Sequence, residues 1–164
     1  MTDFEKLFNE NREFIFNYLM KMTRDITLSE ELTQETFFRA YMNYASLKNK
    51  EKASVWLCQI AKNTYFAWYN EQKKKDSLDD LEVASSDVSI EDAFVQKELS
   101  QKALICLHEL EDPYKEVFMW RVFADMSFKQ IGQIFARSEN WACVTYHRAR
   151  KMIKERLEEK NGEN

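Results

Sequence analysis

Glycine and proline, the residues that most often interrupt a regular backbone, are almost absent from this chain. Glycine occurs twice and proline once in 164 residues. A sheet protein needs many such residues at its hairpins, so their scarcity argues against a β fold. Charged residues make up 32% of the chain and apolar residues 45%, which suits helices with one wet face and one buried face. The sequence therefore predicts an all-α protein.

The sequence favours a location in the cytoplasm. It has no run of about 18 apolar residues, and its first residues lack the basic start and apolar stretch of a signal peptide. Cys58, Cys106 and Cys143 are widely spaced and odd in number, and each lies in an apolar helical pattern. We therefore expect reduced thiols rather than a disulfide framework.

Charge is distributed unevenly and divides the chain into three parts. Residues 1–75 hold 12 bases and 10 acids (+2), and residues 93–164 hold 12 bases and 11 acids (+1). The rest of the net charge of −4 lies in residues 76–92, which hold seven acids and no base (−7). This pattern predicts two small helical domains, 1–75 and 93–164, joined by an acidic linker, 76–92. Near-neutral lobes can bind DNA through local patches, but we do not expect tight autonomous binding.

Apolar periodicity and capping residues predict where the helices begin and end. In the first lobe they predict one or two helices up to Met22, a helix Thr27–Tyr44 opened by a capping box at Thr27–Glu30, a basic loop Ser46–Lys52, and a helix Ser54–Lys74. In the second lobe they predict four helices. The first spans Ile90–Leu110, and the second is capped by Asp112, has Pro113 at its first position and reaches Ala124. The third runs from the capping box Ser127–Gln130 to Ala136, and the fourth runs from Ser138 to Leu157 and is followed by a frayed tail. Two short helices followed by a long basic one are typical of a helix-turn-helix domain.

The Thr27–Tyr44 helix is predicted to have two unlike faces. Its buried stripe comprises Leu28, Leu32, Thr36, Phe37, Ala40 and Tyr44. Its other face comprises Glu30, Glu31, Gln34, Glu35, Phe38 and Arg39. A large aromatic ring among carboxylates indicates a protein-binding hot spot with a polar rim. The alternative is a solvated face with one isolated phenylalanine.

The Ser54–Lys74 helix carries amides, lysines and aromatic rings outside its predicted core stripe. That core stripe comprises Leu57, Ile60, Ala61, Thr64, Ala67 and Trp68. The other side comprises Gln59, Lys62, Asn63, Phe66, Tyr69, Asn70 and Lys73. Rings can stack on unpaired bases, amides can bond base edges and lysines can follow phosphates, so the pattern indicates single-stranded DNA binding. The alternative is that Phe66 and Tyr69 are buried against a third helix.

The last helix combines a basic surface with a buried stripe. The bases are Arg148, Arg150, Lys151, Lys154 and Arg156, with Arg137 just before the helix. The buried stripe is predicted to be Ala142, Tyr146, Ala149, Ile153 and Leu157. Glu139, Asn140, Cys143, Val144 and His147 are predicted to face outward near its N-terminus, where a recognition helix meets base edges. The alternative is a solvated basic face.

No pattern in the sequence indicates an enzyme or a cofactor. A glycine-rich phosphate loop, a metal-ligand cluster and a nucleophile motif are all missing from the sequence. Cys143 and His147 are four residues apart and could touch one metal ion, but two ligands do not make a site. We therefore expect neither catalysis nor a bound metal.

These segments, in this order, resemble the extracytoplasmic-function (ECF) sigma factors of the sigma-70 family over roughly residues 4–157. Ser29–Tyr41 is similar to the helix by which the family binds the polymerase clamp, and Trp56–Asn63 to its promoter-opening helix. Ile131–Ala136 and His147–Lys151 are similar to its C-terminal helix-turn-helix. The resemblance implies that the first domain docks on core RNA polymerase and melts the −10 element, while the second recognises the −35 element. It also implies that the linker threads toward the active-site and RNA-exit channel.

The resemblance implies a role for each matching position. Polymerase contacts would be Glu30, Gln34, Glu35, Phe38 and Arg39. The −10 strand would be faced by Lys62, Asn63, Phe66, Tyr69, Asn70 and Lys73, and the Lys48–Lys52 loop would help hold an extruded base. The −35 duplex would be faced by Arg137, Asn140, Cys143, Val144, His147, Arg148 and Lys151. An anti-sigma factor that covers the polymerase-docking surfaces would be a further partner.

Several positions depart from the family pattern, so the promoter sequence stays open. Ala67 and Asn70 stand where the family often has an acid and an arginine. Trp141 and Cys143 stand where its recognition helix is usually basic or hydroxylic. The position of Glu31 more often holds aspartate, and Trp56 is either a core residue or a wedge at the melted junction.

Two other classes of function stay open on the sequence. One is a stand-alone helix-turn-helix regulator that does not bind core polymerase and whose first lobe dimerises or senses a ligand. The other is an interaction protein with decayed DNA contacts, an interpretation suggested by Ala67 and Cys143.

Overall fold

The computed structural model describes residues 1–75, 91 and 97–162, and every regular element in these ranges is helical. The all-α prediction is therefore confirmed. The chain divides into two compact units, Met1–Ser77 and Leu78–Asn164. Apart from Glu91, the predicted linker 76–92 lies outside the described residues, and so does the start of the predicted Ile90–Leu110 helix.

The N-terminal unit is a bundle of three helices. They are α1 (Asp3–Thr23), α2 (Ile26–Met42) and α3 (Ala53–Lys75), with two single 3₁₀ turns at Tyr44–Ser46 and Lys50–Lys52 between the last two. Each helix packs on the other two. Fully buried Ile15, Leu19 and Leu57 lie in the hydrophobic core. A polar link joins α3 to α1, because Ser54 Oγ donates to Asn11 Oδ1 at 2.8 Å.

The cap of α2 is one point at which the structure corrects the sequence analysis. Asp25, not Thr27, is the N-cap, and its carboxylate accepts from the Leu28 N–H at 3.1 Å. Arg24 adopts the left-handed conformation (φ 57°) and ends α1, so that Asp25 is the only residue between Arg24 and α2. Ser29 of the predicted box is buried instead, with its hydroxyl 2.6 Å from Thr23 Oγ1.

The C-terminal unit is built around its last and longest helix. Its helices are α4 (Lys97–Glu109), α5 (Tyr114–Val122), α6 (Phe128–Ile134) and α7 (Glu139–Gly162). The helix α7 packs on each of the other three. All five residues of its predicted buried stripe are buried, so that prediction is confirmed.

Two of the predicted caps in this unit are confirmed and one is wrong. Ser127 and Gln130 form the capping box of α6, and Ser138 Oγ accepts from the Trp141 N–H at the start of α7. At α5 the N-cap is Pro113 rather than Asp112, and backbone carbonyls of Glu111 and Pro113 accept the N–H groups of the first turn.

The predicted fraying from Glu158 to Asn164 is wrong as far as Gly162, because α7 continues to that residue. The last two positions lie outside the described residues. Glu109 of α4 forms ion pairs with two residues near the end of α7. Its carboxylate lies 3.2 Å from Lys160 Nζ and 3.7 Å from an Arg156 guanidinium nitrogen. Each such pair is weak on a surface, but two pairs on one carboxylate restrain the final turns.

At Gly132, the helix α6 passes close to the turn that leads into α7. A Cβ atom at this position would lie 2.7 Å from the Ser138 carbonyl oxygen and 2.8 Å from that of Arg137. Both oxygens are backbone atoms that cannot rotate away, and the Arg137 N–H also donates to the Gly132 carbonyl at 2.8 Å. Only glycine permits this approach between the two elements.

Gly132→Ala is therefore expected to destabilise the C-terminal unit by about 1–3 kcal/mol, although alanine is the better helix former. Urea unfolding followed by hydrogen exchange of the α6 and α7 amides would measure the loss. Gln133→Ala, at an exposed position on the same helix, is the control and should change little. Equal stability of the two variants would show that the turn relaxes without cost.

Candidate functional site

The outer face of α2 has the form predicted from the sequence, an exposed aromatic ring among polar side chains. Phe38 is 61% exposed. Around it, Glu30, Glu31, Gln34 and Glu35 are exposed and Arg39 is half-buried. Arg39 Nε donates to Glu35 Oε1 at 2.9 Å, so this arginine is partly neutralised on the surface. Most of the predicted buried stripe, from Leu32 to Ala40, lies in the core.

Tyr41 and Met42 extend this face and were missed by the sequence analysis. They are 63% and 66% exposed. They lie three and four residues after Phe38, which places all three side chains next to one another on a helix. Tyr41 also packs edge-on against Phe4 of α1, with ring centroids 5.3 Å apart. The spacing from Phe38 was the available signal. We call Phe38, Tyr41 and Met42 the α2 apolar patch.

On α3 the structure corrects the placement of the two aromatic rings. Phe66 is 6% and Tyr69 is 7% exposed, so neither presents its ring to solvent. Tyr65 contacts both, at centroid distances of 5.3 Å and 6.2 Å. The buried side of α3 therefore carries the two large rings, and Ala67 lies on its exposed side. Burying an aromatic ring removes far more apolar area from water than burying an alanine, which explains why α3 packs with this side toward the core.

The exposed side of α3 is a polar stripe bordered by apolar groups. Asn63, Ala67 and Asn70 are exposed at spacings of four and three residues, so they form one line along the helix. Lys62 is half-buried beside them. Trp56 and Ile60 continue the same line toward the helix N-terminus and are also half-buried. The side chain of Lys73 lies outside the described part of the chain.

The loop before α3 is basic and exposed. Lys48, Asn49, Lys50, Glu51 and Lys52 are all exposed. Lys50 Nζ donates to Asp3 Oδ2 at 2.9 Å, and this hydrogen bond lowers the pKa of the Asp3 carboxyl. The pair joins the loop to the start of α1.

On α7 the predicted −35 residues share one surface. Asn140, Val144, His147, Arg148 and Lys151 are exposed, Cys143 is half-buried, and Arg137 is exposed in the turn before the helix. Asn140, Val144, His147 and Lys151 follow spacings of four, three and four residues, which keeps them on one line. We use the name α7 face for all seven residues: Arg137, Asn140, Cys143, Val144, His147, Arg148 and Lys151.

Aromatic contacts hold two side chains of the α7 face, Arg137 and His147, in position. The Trp141 ring packs on Phe135 with a centroid distance of 5.3 Å, and the Arg137 guanidinium lies 5.6 Å from the same ring. Trp141 thus packs against the turn before α7, which gives this departure from the family pattern a structural reason. The His147 ring lies edge-on to Tyr146 at 5.3 Å and tilted toward Phe128 at 6.3 Å.

Beside the α7 face, Glu91 contacts two residues of α7. Its carboxylate accepts a hydrogen bond from the Tyr146 hydroxyl and one from Arg150 Nε at 3.1 Å. Burial raises the pKa of Glu91, but the hydrogen bond from Tyr146, a backbone hydrogen bond and the charge of Arg150 together lower it overall. The carboxylate is therefore ionised at neutral pH.

The cysteines do not form a reactive or metal-binding centre in the described residues. Cys58 and Cys106 are buried, and burial raises the pKa of both thiols, that of Cys106 to about 11. No group of three or more potential metal ligands occurs in the described part of the chain. Nor does any helix described there have the length and apolar character of a membrane span.

Comparison with known proteins finds sigma factors among the relatives of this chain. Residues 7–75 match sigma-70 region 2. The ECF RNA polymerase sigma factor SigM of Bacillus subtilis is 30% identical over 142 residues, which cover 85% of this chain and 86% of SigM. RNA polymerase sigma factor YlaC of the same organism is 26% identical over 161 residues, 93% of this chain and 91% of YlaC. Its ECF sigma factor SigW is 28% identical over 158 residues, 89% and 84% of the two chains.

Proposed function

The chain belongs to the ECF sigma factors of the sigma-70 family, and from this membership we propose that it directs core RNA polymerase to promoters by recognising −35 and −10 elements and opening the DNA. The observation that carries the proposal is the pairing of two unlike surfaces. One is an exposed apolar patch on the unit that matches region 2, and the other is an exposed base-and-amide face on the last helix. Sigma factors are not known as enzymes, and binding, strand separation and release would be the whole mechanism.

Binding to core polymerase is assigned to the outer face of α2. Glu30, Gln34, Glu35, Phe38 and Arg39 would contact the clamp, as the family resemblance implies. The α2 apolar patch supports this assignment because large apolar side chains are rarely exposed together unless they meet a partner. Carboxylates around Phe38 would form the polar rim of the contact.

Recognition of the melted −10 strand is assigned to the exposed stripe of α3. Asn63 and Asn70 can bond base edges, and Lys62 with the Lys48–Lys52 loop can neutralise phosphates. Because Phe66 and Tyr69 are buried, they are not proposed to stack on bases. Trp56 lies on the same side as the stripe and is the ring best placed to act as a wedge at the edge of the melted DNA.

Recognition of the −35 duplex is assigned to the α7 face, with a division of roles among its side chains. Arg148 and Lys151 would contact phosphates, so changing either to alanine should weaken promoter binding by the holoenzyme on all sequences and lower the salt slope by about one unit. Asn140 and His147 would contact base edges, so alanine there should change which −35 sequences are used, at about 1–3 kcal/mol per lost pairing.

Mobility-shift titrations over a range of salt, on matched and scrambled −35 sites, separate the two classes of variant. Lys154→Ala is a useful comparison, since it removes a positive charge from the same helix four residues beyond Arg150. Loss of sequence preference in the Arg148 and Lys151 variants, with an unchanged salt slope, would contradict the assignment.

The free protein should bind promoter DNA poorly. Each lobe is close to electrical neutrality, so few phosphates would be neutralised and little counterion release would be gained. Core polymerase would supply most of the electrostatic affinity and would hold both units near their sites, so that two weak contacts act together. An anti-sigma factor in the cytoplasm, covering the α2 apolar patch, is the partner proposed for the uncomplexed protein.

Gel filtration with core RNA polymerase tests the proposal against a stand-alone regulator. The sigma factor should co-elute with core polymerase in equimolar amounts and should not shift promoter DNA by itself at physiological salt. A regulator would elute separately and bind its operator alone. Separate elution would overturn the proposed polymerase-binding role.

A further inference from the structure

Both carboxylate oxygens of Glu91 face α7. Arg150 Nε lies 3.1 Å from Oε1 and 3.3 Å from Oε2, and the Tyr146 hydroxyl also donates to Oε1. Glu91 is 55 and 59 residues away from these two partners in the sequence, so the contact is tertiary. It fixes the direction of the Arg150 side chain.

Arg150 flanks the α7 face without belonging to it. It comes three residues after His147 and seven after Cys143, so it lies on the same side of the helix as Cys143, about two turns further along. An arginine at this position could reach a neighbouring phosphate if its side chain turned toward the DNA. In the structure its guanidinium is directed at Glu91 instead.

A second contact keeps the Glu91 carboxylate in place. A single ion pair this exposed would be weak, and DNA phosphates could compete for the arginine. Tyr146, however, is buried, and its ring stacks on Phe118 at a centroid distance of 5.6 Å. Its hydroxyl therefore presents a fixed donor that holds the negative charge beside Arg150.

Resting on the −35 role proposed above for α7, we propose that Glu91 is a positioning residue that limits the sequence-independent affinity of α7 for DNA. It keeps Arg150 away from the DNA backbone, so that the phosphate contacts of α7 are limited to those proposed for Arg148 and Lys151. Without Glu91, Arg150 adds a phosphate contact that is independent of the DNA sequence. Affinity then rises by the same factor for matched and scrambled −35 sites.

The test is holoenzyme binding to matched and scrambled −35 duplexes over a range of salt. Glu91→Gln has the same shape as glutamate and keeps an oxygen that can accept from Tyr146, but it releases the charge on Arg150. It should steepen the salt slope by about one unit and tighten binding to matched and scrambled DNA alike, up to about eightfold near 0.1 M salt, with the ratio of the two affinities unchanged. Glu91→Gln combined with Arg150→Gln should restore the original slope.

Two further variants separate positioning from general effects. Glu111→Gln makes the same change in net charge at an exposed position outside α7, and it should leave the slope unchanged. Arg150→Gln alone should also leave the slope unchanged, because the arginine is not in use. This variant keeps the test decisive even if loss of Glu91 impairs folding.

The possible failures are distinguishable from one another. If Glu91→Gln matches Glu111→Gln, or if Arg150→Gln alone lowers the slope by one unit, the positioning role is wrong while the sigma factor function stands. If the unaltered holoenzyme shows no preference for any −35 sequence, the proposed function of α7 fails, and the inference fails with it.

Discussion

Phe66→Ala should lower the free energy of unfolding of the N-terminal unit by about 3–5 kcal/mol, a large fraction of the stability of a small domain. The ring is 6% exposed and packs against Tyr65, so its removal leaves a cavity in the hydrophobic core. Thermal and urea unfolding would both report the loss. Tyr69, at 7% exposure, should behave in the same way.

Asn63→Ala is the matched control for Phe66→Ala, because it alters an exposed side chain on the same helix. It should leave stability within about 0.5 kcal/mol of the unaltered protein. If the proposed −10 role of α3 holds, it should slow promoter opening, as measured by permanganate reactivity of thymines. A Phe66→Ala variant with normal stability and a specific defect in opening would show that the ring belongs to the DNA surface instead.

Phe38→Ala should have the opposite effect, with a large change in partner binding and almost none in stability. The ring is 61% exposed and lies at the centre of the proposed clamp contact, where an aromatic hot spot contributes about 1–3 kcal/mol. The affinity for core RNA polymerase should therefore fall by roughly 5- to 150-fold. A fluorescence titration of labelled protein with core polymerase measures the change.

Ile26→Ala is the control for Phe38→Ala, since Ile26 is also 61% exposed but lies at the other end of α2 and on another side. Its loss should affect neither polymerase affinity nor unfolding. Met42→Ala tests the extension of the patch and should weaken polymerase binding to a smaller degree. If Phe38→Ala lowers the melting temperature and leaves polymerase affinity intact, the assignment of α2 is wrong.

The sequence was most informative where one strong signal dominates local structure. The scarcity of glycine and proline predicted an all-α chain, and the apolar stripe of α7 was predicted residue by residue. The caps at Ser127 and Ser138 were predicted correctly. Asp125 stands two residues before Ser127, but its left-handed backbone (φ 54°) is not the extended conformation of an N-cap, which Ser127 adopts. At α2, Asp25 lies two residues before the predicted cap Thr27, and the stronger acceptor became the N-cap.

The face of α3 could not be predicted from periodicity alone. Its helix carries apolar or aromatic residues on every side, so two rotations of the buried stripe fit almost equally well. One rotation buries Ala67 and exposes Phe66 and Tyr69, and the other does the reverse. The packing of α1 and α2 decides between them, and it selects the larger rings.

Side-chain contacts between residues far apart in the chain could not be predicted from the sequence either. Nothing in the acidic run 76–92 distinguishes Glu91 from its six acidic neighbours. Only the tertiary structure shows that Glu91 meets Tyr146 and Arg150. The Glu109 pairs that extend α7 to Gly162 are of the same kind, because each joins residues about 50 positions apart.

Run-off transcription with purified core RNA polymerase on genomic fragments tests the sigma factor function most directly. With this protein added, transcripts should begin at a small set of discrete start sites that core polymerase alone does not use, and Phe38→Ala should reduce them at limiting protein concentration. The same start sites should share a −35 and a −10 sequence at a constant spacing. If no transcript depends on the protein, although it binds its DNA tightly without polymerase, the proposed role in transcription initiation is wrong.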